Sequence, residues 1–205
     1  MLEPAIMYNL SRRQFIQQSA MGLGAIGIAG TSPTLSAQSS RGIKGVSAPE
    51  LRIGQWINGD GKTQDAFSVA AHKGKWIYLK CFQEWCPACH SVSFPNLQKL
   101  VSAFPNNDLI VPVAIQTTFE GFSSNTSDAL RKNQLRYELN IPFGHDPGNV
   151  DLPRDNPARY PTTMQSYRTG GTPWIIVIDP DGMVVFNDFH IDMDKLINFL
   201  HTQSV

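Results

Sequence analysis

The chain has 205 residues, 41% hydrophobic and 17% charged, which suits one globular domain with an extension and excludes a disordered polymer. Its 17 basic and 17 acidic residues leave a formal net charge of +0, so no basic field points to nucleic acid or to an anionic membrane surface. Three cysteines are too few to staple a small secreted fold; they suit one reactive pair and a spare thiol.

Ser11-Arg12-Arg13-Gln14-Phe15-Ile16 sets two arginines directly before a stretch, Gln14 to Ser40, that holds no Asp, Glu, Lys or Arg. Its apolar part, Ala20 to Gly30, is short and glycine-rich, below the roughly 20 apolar residues of a membrane span. Small residues around Ala37 offer a peptidase site. The segment resembles a twin-arginine signal, which implies export to the periplasm. Residues 1–37 are therefore read as the signal, 38–48 as a Ser/Gly-rich linker and 49–205 as the domain. Membrane contact is expected only through the signal, if it stays uncleaved. Gly22-Leu23-Gly24-Ala25-Ile26-Gly27 matches a dinucleotide-binding fingerprint, but it follows no strand and lies in the signal, so it carries no function.

Gln55 to Ile57 reads as a strand entering a turn at Asn58-Gly59-Asp60-Gly61, and Trp76 to Phe82 as a short buried strand. From Cys86 to Phe104, Val92, Leu97, Leu100, Val101 and Phe104 recur at helical spacing, and Pro95 should distort that helix. Leu109 to Ile115 reads as a strand interrupted by Pro112. Ser127-Asp128 should cap a helix through Leu130, Leu135 and Leu139, and the four prolines of Pro147 to Pro161 mark a long loop. Trp174 to Ile178 and Met183 to Phe186 flank a hairpin turn, and Asp192 should cap a terminal helix. A central sheet covered by helices, hence an α/β fold, follows.

Chemistry concentrates in Trp85-Cys86-Pro87-Ala88-Cys89. Cysteines at i and i+3 on a helix lie about 5–6 Å apart, within disulfide reach. A helix N-terminus favours a thiolate through its free N–H groups and partial positive charge. Cys86, nearest that end, should be the attacking thiol, and Cys89, one turn in, the resolving one. Cys86-x-x-Cys89-His90 also matches a c-type haem attachment site, and Cys81, Cys86, Cys89 and His90 together offer zinc ligands. These alternatives fit poorly with the strand expected before the pair.

The order of three features resembles the thioredoxin superfamily, in particular its exported TlpA/ResA-like members related to redoxin and AhpC/TSA domains. They are the dithiol after a strand, Gly170-Gly171-Thr172-Pro173 before a strand, and the final hairpin. The resemblance implies a thioredoxin-like fold, a central mixed sheet flanked by helices. It also implies a Cys86/Cys89 redox disulfide, a cis peptide at Pro173, and client contact at Trp85, Thr172 and Pro173. The expected activity is exchange with protein thiols and disulfides, recharged by an unidentified electron donor, with no cofactor and no metal. The bare Pro87-Ala88 between the cysteines favours a reductase or general exchanger over a dedicated oxidant.

The sequence departs from that pattern at Lys80, where thioredoxins keep a buried acid, and at Pro95, which lies one residue late and predicts a bulge in the first turns. The span from Thr117 to Gly170 is long enough for a substrate-selecting lid. A peroxidase reading is the closest rival, but Gln83 and Leu79 stand where those relatives keep a threonine and a proline. Cys81 is expected as a buried hydrophobe, and Glu84 as a solvated carboxylate.

Overall fold

The computed structural model describes residues 41–106 and 108–203, so the segment 1–37 read from sequence as an export signal lies outside the described residues. Among them, no helix is long and apolar enough to cross a membrane. Six strands form one sheet: β1 (Gln55–Ile57), β2 (Trp76–Phe82), β3 (Ile110–Thr118), β4 (Phe143–Pro147), β5 (Trp174–Ile178) and β6 (Val184–Asp188). Their spatial order is β1-β4-β3-β2-β5-β6, a mixed sheet. β2 runs parallel to β3 and antiparallel to β5, so it is an inner strand.

β2 reads as a continuous run because all seven of its residues are buried, with side chains covered on both faces. Its alternation divides the core. Trp76, Tyr78 and Phe82 pack with Cys86, Cys89 and the helices α1 (Phe94–Ala103) and α4 (Met193–Thr202). Ile77, Leu79 and Cys81 face the opposite cluster with Leu51, Ile53, Trp56 and Tyr167. Lys80 belongs by alternation to the dithiol's face.

Pro112 lies within β3 rather than breaking it. The backbone N–H of Ala114 points to Pro142 beside β4, so the nitrogen of Pro112, two residues earlier, points the same way. Pairing with β4 begins only at Ala114, so the missing donor breaks no ladder bond.

β4 was not expected from sequence; Phe143-Gly144-His145-Asp146-Pro147 has neither alternation nor β-branched residues. It is held between β1 and β3. Its Asp146 accepts from the backbone N–H groups of Thr162 and Thr163 and from the Thr162 hydroxyl, capping α3 (Thr162–Tyr167). A cap supplied from 16 residues upstream leaves no local signature.

α2 (Asp128–Arg136) stops before Leu139, and Leu135 is exposed, contrary to the apolar stripe read from sequence. Ser127 makes no side-chain cap bond, whereas Asp192 does cap α4 through the N–H of Lys195. In the hairpin turn, Asp179 accepts from the N–H groups of Asp181 and Met183, and Gly182 takes φ +83°. The described part of the segment read as a linker is bonded to the domain: Gly45 N–H donates to Val184, and Ser47 bridges Met183.

Candidate active site

β2 ends at Phe82, and four residues later the chain reaches Cys86. Pro87 and Ala88 are already helical, and a π-helical turn over Cys89–Ser93 leads into α1. The bulge expected from the late Pro95 is therefore present. Pro95 lacks an N–H and its ring crowds the carbonyl four residues back, and the wider turn provides room. The extra residue also shifts the helical phase, which explains why Val92, expected on the apolar stripe, is 47% exposed.

Cys86 and Cys89 are joined as a disulfide with their Cα atoms 5.3 Å apart. Cys86 keeps 4% of its surface and Cys89 none. The N–H of Cys89 donates to Cys86 Sγ at 3.2 Å, so a backbone dipole points at the sulfur expected to carry charge. Cys81 is a free thiol on the other face of the sheet, where burial, then Asp146, push its pKa well up. It therefore does not converge with the pair, and among the described residues no group of three or more His, Cys, Asp or Glu is poised for a metal ion.

The loop before the dithiol is held by residues that sequence reading passed over. Glu84 is not simply solvated: its carboxylate accepts from Lys132 Nζ at 2.7 Å and Asn133 Nδ2 at 2.5 Å. Partial burial works to raise its pKa, but these bonds and the Lys132 charge bring it below the usual carboxylate value. Its backbone N–H donates to Asn125 Oδ1 at 2.7 Å, and Asn125 in turn donates to the carbonyls of Glu120 and Gly121.

His90 is tied at both ring nitrogens, Nε2 to the Glu84 carbonyl at 2.5 Å and Nδ1 to Tyr137 Oη at 2.6 Å. Burial holds its pKa below the usual histidine value despite the Glu84 bond. The neutral ring then donates from Nε2, since a carbonyl can only accept, and Nδ1 accepts from the phenol. Neither nitrogen is left to ligate haem iron. Gln83, at the peroxidase threonine's place, is buried with Nε2 donating to the Thr117 carbonyl.

Trp85 is 47% exposed beside Cys86. A Cβ on Gly121, whose φ is +59°, would come within 2.6 Å of the Trp85 indole, so only glycine fits beneath that ring. Next to it lies a groove of about 320 Å³ lined by Phe119, Gly121, Phe122, Val150, Arg154 and Tyr160, all from the long segment expected as a lid. A larger cleft of about 450 Å³ at Phe104, Pro105 and His201 sits at the far end of α1.

Thr172 and Pro173 are half-buried and joined by a cis peptide. They directly precede Trp174, whose register partner is Cys81 near the end of β2, so they share the dithiol's edge of the sheet. Phe189, 39% exposed, packs on Trp174 with ring centroids 4.3 Å apart.

Lys80 is wholly buried, and among the described residues its Nζ has no hydrogen-bond partner. The nitrogen lies 3.8 Å from the ring centroid of Phe94 and 5.5 Å from that of Phe82. Burial lowers its pKa to about 7, with Cys81 acting in the opposite direction.

No family model and no curated protein matches the sequence. Solved structures do. A thioredoxin-like superfamily protein is 30% identical, with TM-score 0.64, over 76% of this chain and 94% of its own. A thiol–disulfide isomerase from Corynebacterium glutamicum is 26% identical, with TM-score 0.61, over 76% and 94%. A putative thiol:disulfide interchange protein from Chlorobium tepidum shares the fold at 19% identity and TM-score 0.54, over 78% and 96%.

Proposed function

The chain belongs to the thioredoxin-like superfamily, and on that premise we propose that it is an exported thiol–disulfide oxidoreductase acting on protein thiols and disulfides. The observation that carries this reading is the Cys86–Cys89 disulfide at the start of a helix, with Cys86 the less buried sulfur and receiving a backbone N–H.

In the reducing direction the Cys86 thiolate attacks a client disulfide. One client sulfur leaves with the electron pair of the broken bond, and a Cys86–client mixed disulfide forms. Cys89, deprotonated, then attacks Cys86, the second client sulfur departs as thiolate and takes up a proton, and the enzyme is left oxidised. A donor dithiol reverses the change by the same exchange and is itself oxidised. Trp85, Thr172 and Pro173 contact the client around the mixed disulfide. The thioether or metal readings gain nothing from the tied His90 ring or from the distant Cys81.

Export rests on the Arg12-Arg13 segment, with residues 1–37 as a twin-arginine signal, the mature chain periplasmic, and the domain spanning 49–205. Cys89→Ala removes the resolving thiol, so clients should accumulate on Cys86 as covalent complexes visible on non-reducing gels. Cys86→Ser, Cys89→Ala should trap none. If Cys89→Ala also traps nothing, the exchange mechanism is wrong.

A further inference from the structure

A buried amine without a hydrogen-bond partner is costly, and nothing in the packing requires one at position 80. Lys80 sits in β2 on the face that packs against the dithiol, with Nζ over Phe94, the residue that opens α1 directly after the π-turn. Phe82 and Phe94, the rings that face the amine, share one cluster of buried side chains with Cys86 and Cys89, so the amine and the sulfurs border the same apolar core. Among the described residues no carboxylate is bonded to the amine. Charge in such a medium acts over several ångströms, and an unpaired cation there favours any anion that forms nearby.

Resting on the redox reading of the dithiol, we propose that Lys80 is a positioning residue of the redox couple, whose unpaired ammonium stabilises the thiolate that reduction places on the Cys86–Cys89 pair. Two electrons from a donor dithiol break the Sγ–Sγ bond. One sulfur takes up a proton and the other remains a thiolate, and it is this second product that the ammonium favours. The cation therefore stabilises the reduced enzyme relative to the disulfide and makes the couple more oxidising than its Pro87-Ala88 spacer alone implies.

Among the described residues the titratable and charged groups around Lys80 are few. Tyr78 and Cys81 lie on β2, the former with its phenol and the latter with its thiol kept protonated by burial. His90 of the π-turn is neutral and hydrogen-bonded to Tyr137, with Arg136 beside that phenol and Glu84 already neutralised by Lys132. Asp146, whose charge acts on Cys81, is committed to the α3 cap. The dithiol is thus the group left to respond to the charge on Lys80.

The test is K80M, a change of similar length without charge, equilibrated with glutathione beside the wild type. The expected result is an equilibrium constant shifted about tenfold toward the disulfide, which is about 30 mV more reducing. The thiolate absorbance of Cys86 should titrate at correspondingly higher pH. Unchanged values for both in folded K80M overturn the assignment while leaving the redox reading intact. A wild type that never equilibrates with glutathione overturns both.

If K80M does not fold, the wild type alone decides by linkage. The ¹³Cε resonance of Lys80 should titrate at a proton concentration about tenfold lower in the reduced protein than in the oxidised one. The same midpoint in both redox states overturns the proposal.

Discussion

At Lys80 the energetic cost of the buried amine has a measurable pH signature. The unfolded chain would hold the lysine proton up to about pH 10.4, whereas burial lowers the folded value to about 7. Between these the unfolded state binds a proton that the folded state does not, so stability rises with pH. The stability associated with this group is thus complete above about pH 10.4 and is lost as pH falls through about 7. Methionine does not titrate. K80M is therefore expected to be more stable than the wild type near neutral pH, by roughly 1–4 kcal/mol, with the gap narrowing toward pH 10. Urea unfolding of the oxidised proteins at both pH values checks this, and a gap that widens with pH contradicts it. His90 and Glu84 add slope on the acid side. Both have depressed folded pKa values, so their contributions are present above the unfolded values of about 6.5 and 4.3 and are lost as pH falls through the folded ones.

At the scale of elements, the dithiol loop is stiff because other segments hold it. Asn125 is 2% exposed and joins the Glu84 N–H to the carbonyls of Glu120 and Gly121. Asn125→Ala removes three bonds and leaves the Glu84 donor without its acceptor. The expected cost is about 2–3 kcal/mol in urea unfolding, with slower exchange at Cys86 toward a thiol reagent after reduction. A variant as stable as the wild type means that the loop is held without this clamp. Gly121→Ala forces a methyl into the Trp85 indole at a positive φ, so it should cost about 1 kcal/mol and shift the Trp85 fluorescence.

These elements also show what a sequence reveals. β2, the dithiol helix, the hairpin and even the π-turn were legible, because apolar runs, turn residues and a misplaced proline act locally. β4 and α3 were not, since a strand of Phe-Gly-His-Asp-Pro gains its stability from two neighbours and α3 takes its cap from Asp146. Of the site, Cys86, Cys89 and the position of Thr172-Pro173 could be read; Asn125, Asn133 and Tyr137 could not. Their roles depend on side chains meeting the loop from 40 or more residues away, a distance that no spacing pattern records.

For the whole molecule, the order of the sheet bears on the export proposed above. β2 leads into the dithiol loop, yet its neighbours are β3 and β5, and β5 ends at Ile178. Nearly the whole chain must therefore be assembled before the inner strand is enclosed. The proposed twin-arginine route, which carries folded proteins, would suit such a domain, because its dithiol face closes only once the chain is nearly complete. The twin arginines should then be required for transfer but not for folding. Replacing Arg12 and Arg13 together by lysine is expected to leave a chain of unprocessed length in the cytoplasmic fraction, with its domain resistant to limited proteolysis and its cysteines reduced. The wild type in the same cells should give a product trimmed near Gln38 in the periplasmic fraction, with Cys86 reactive to a client disulfide. Processing that survives the double substitution would assign export to another signal, while loss of protease resistance would show that the leader helps to fold the domain.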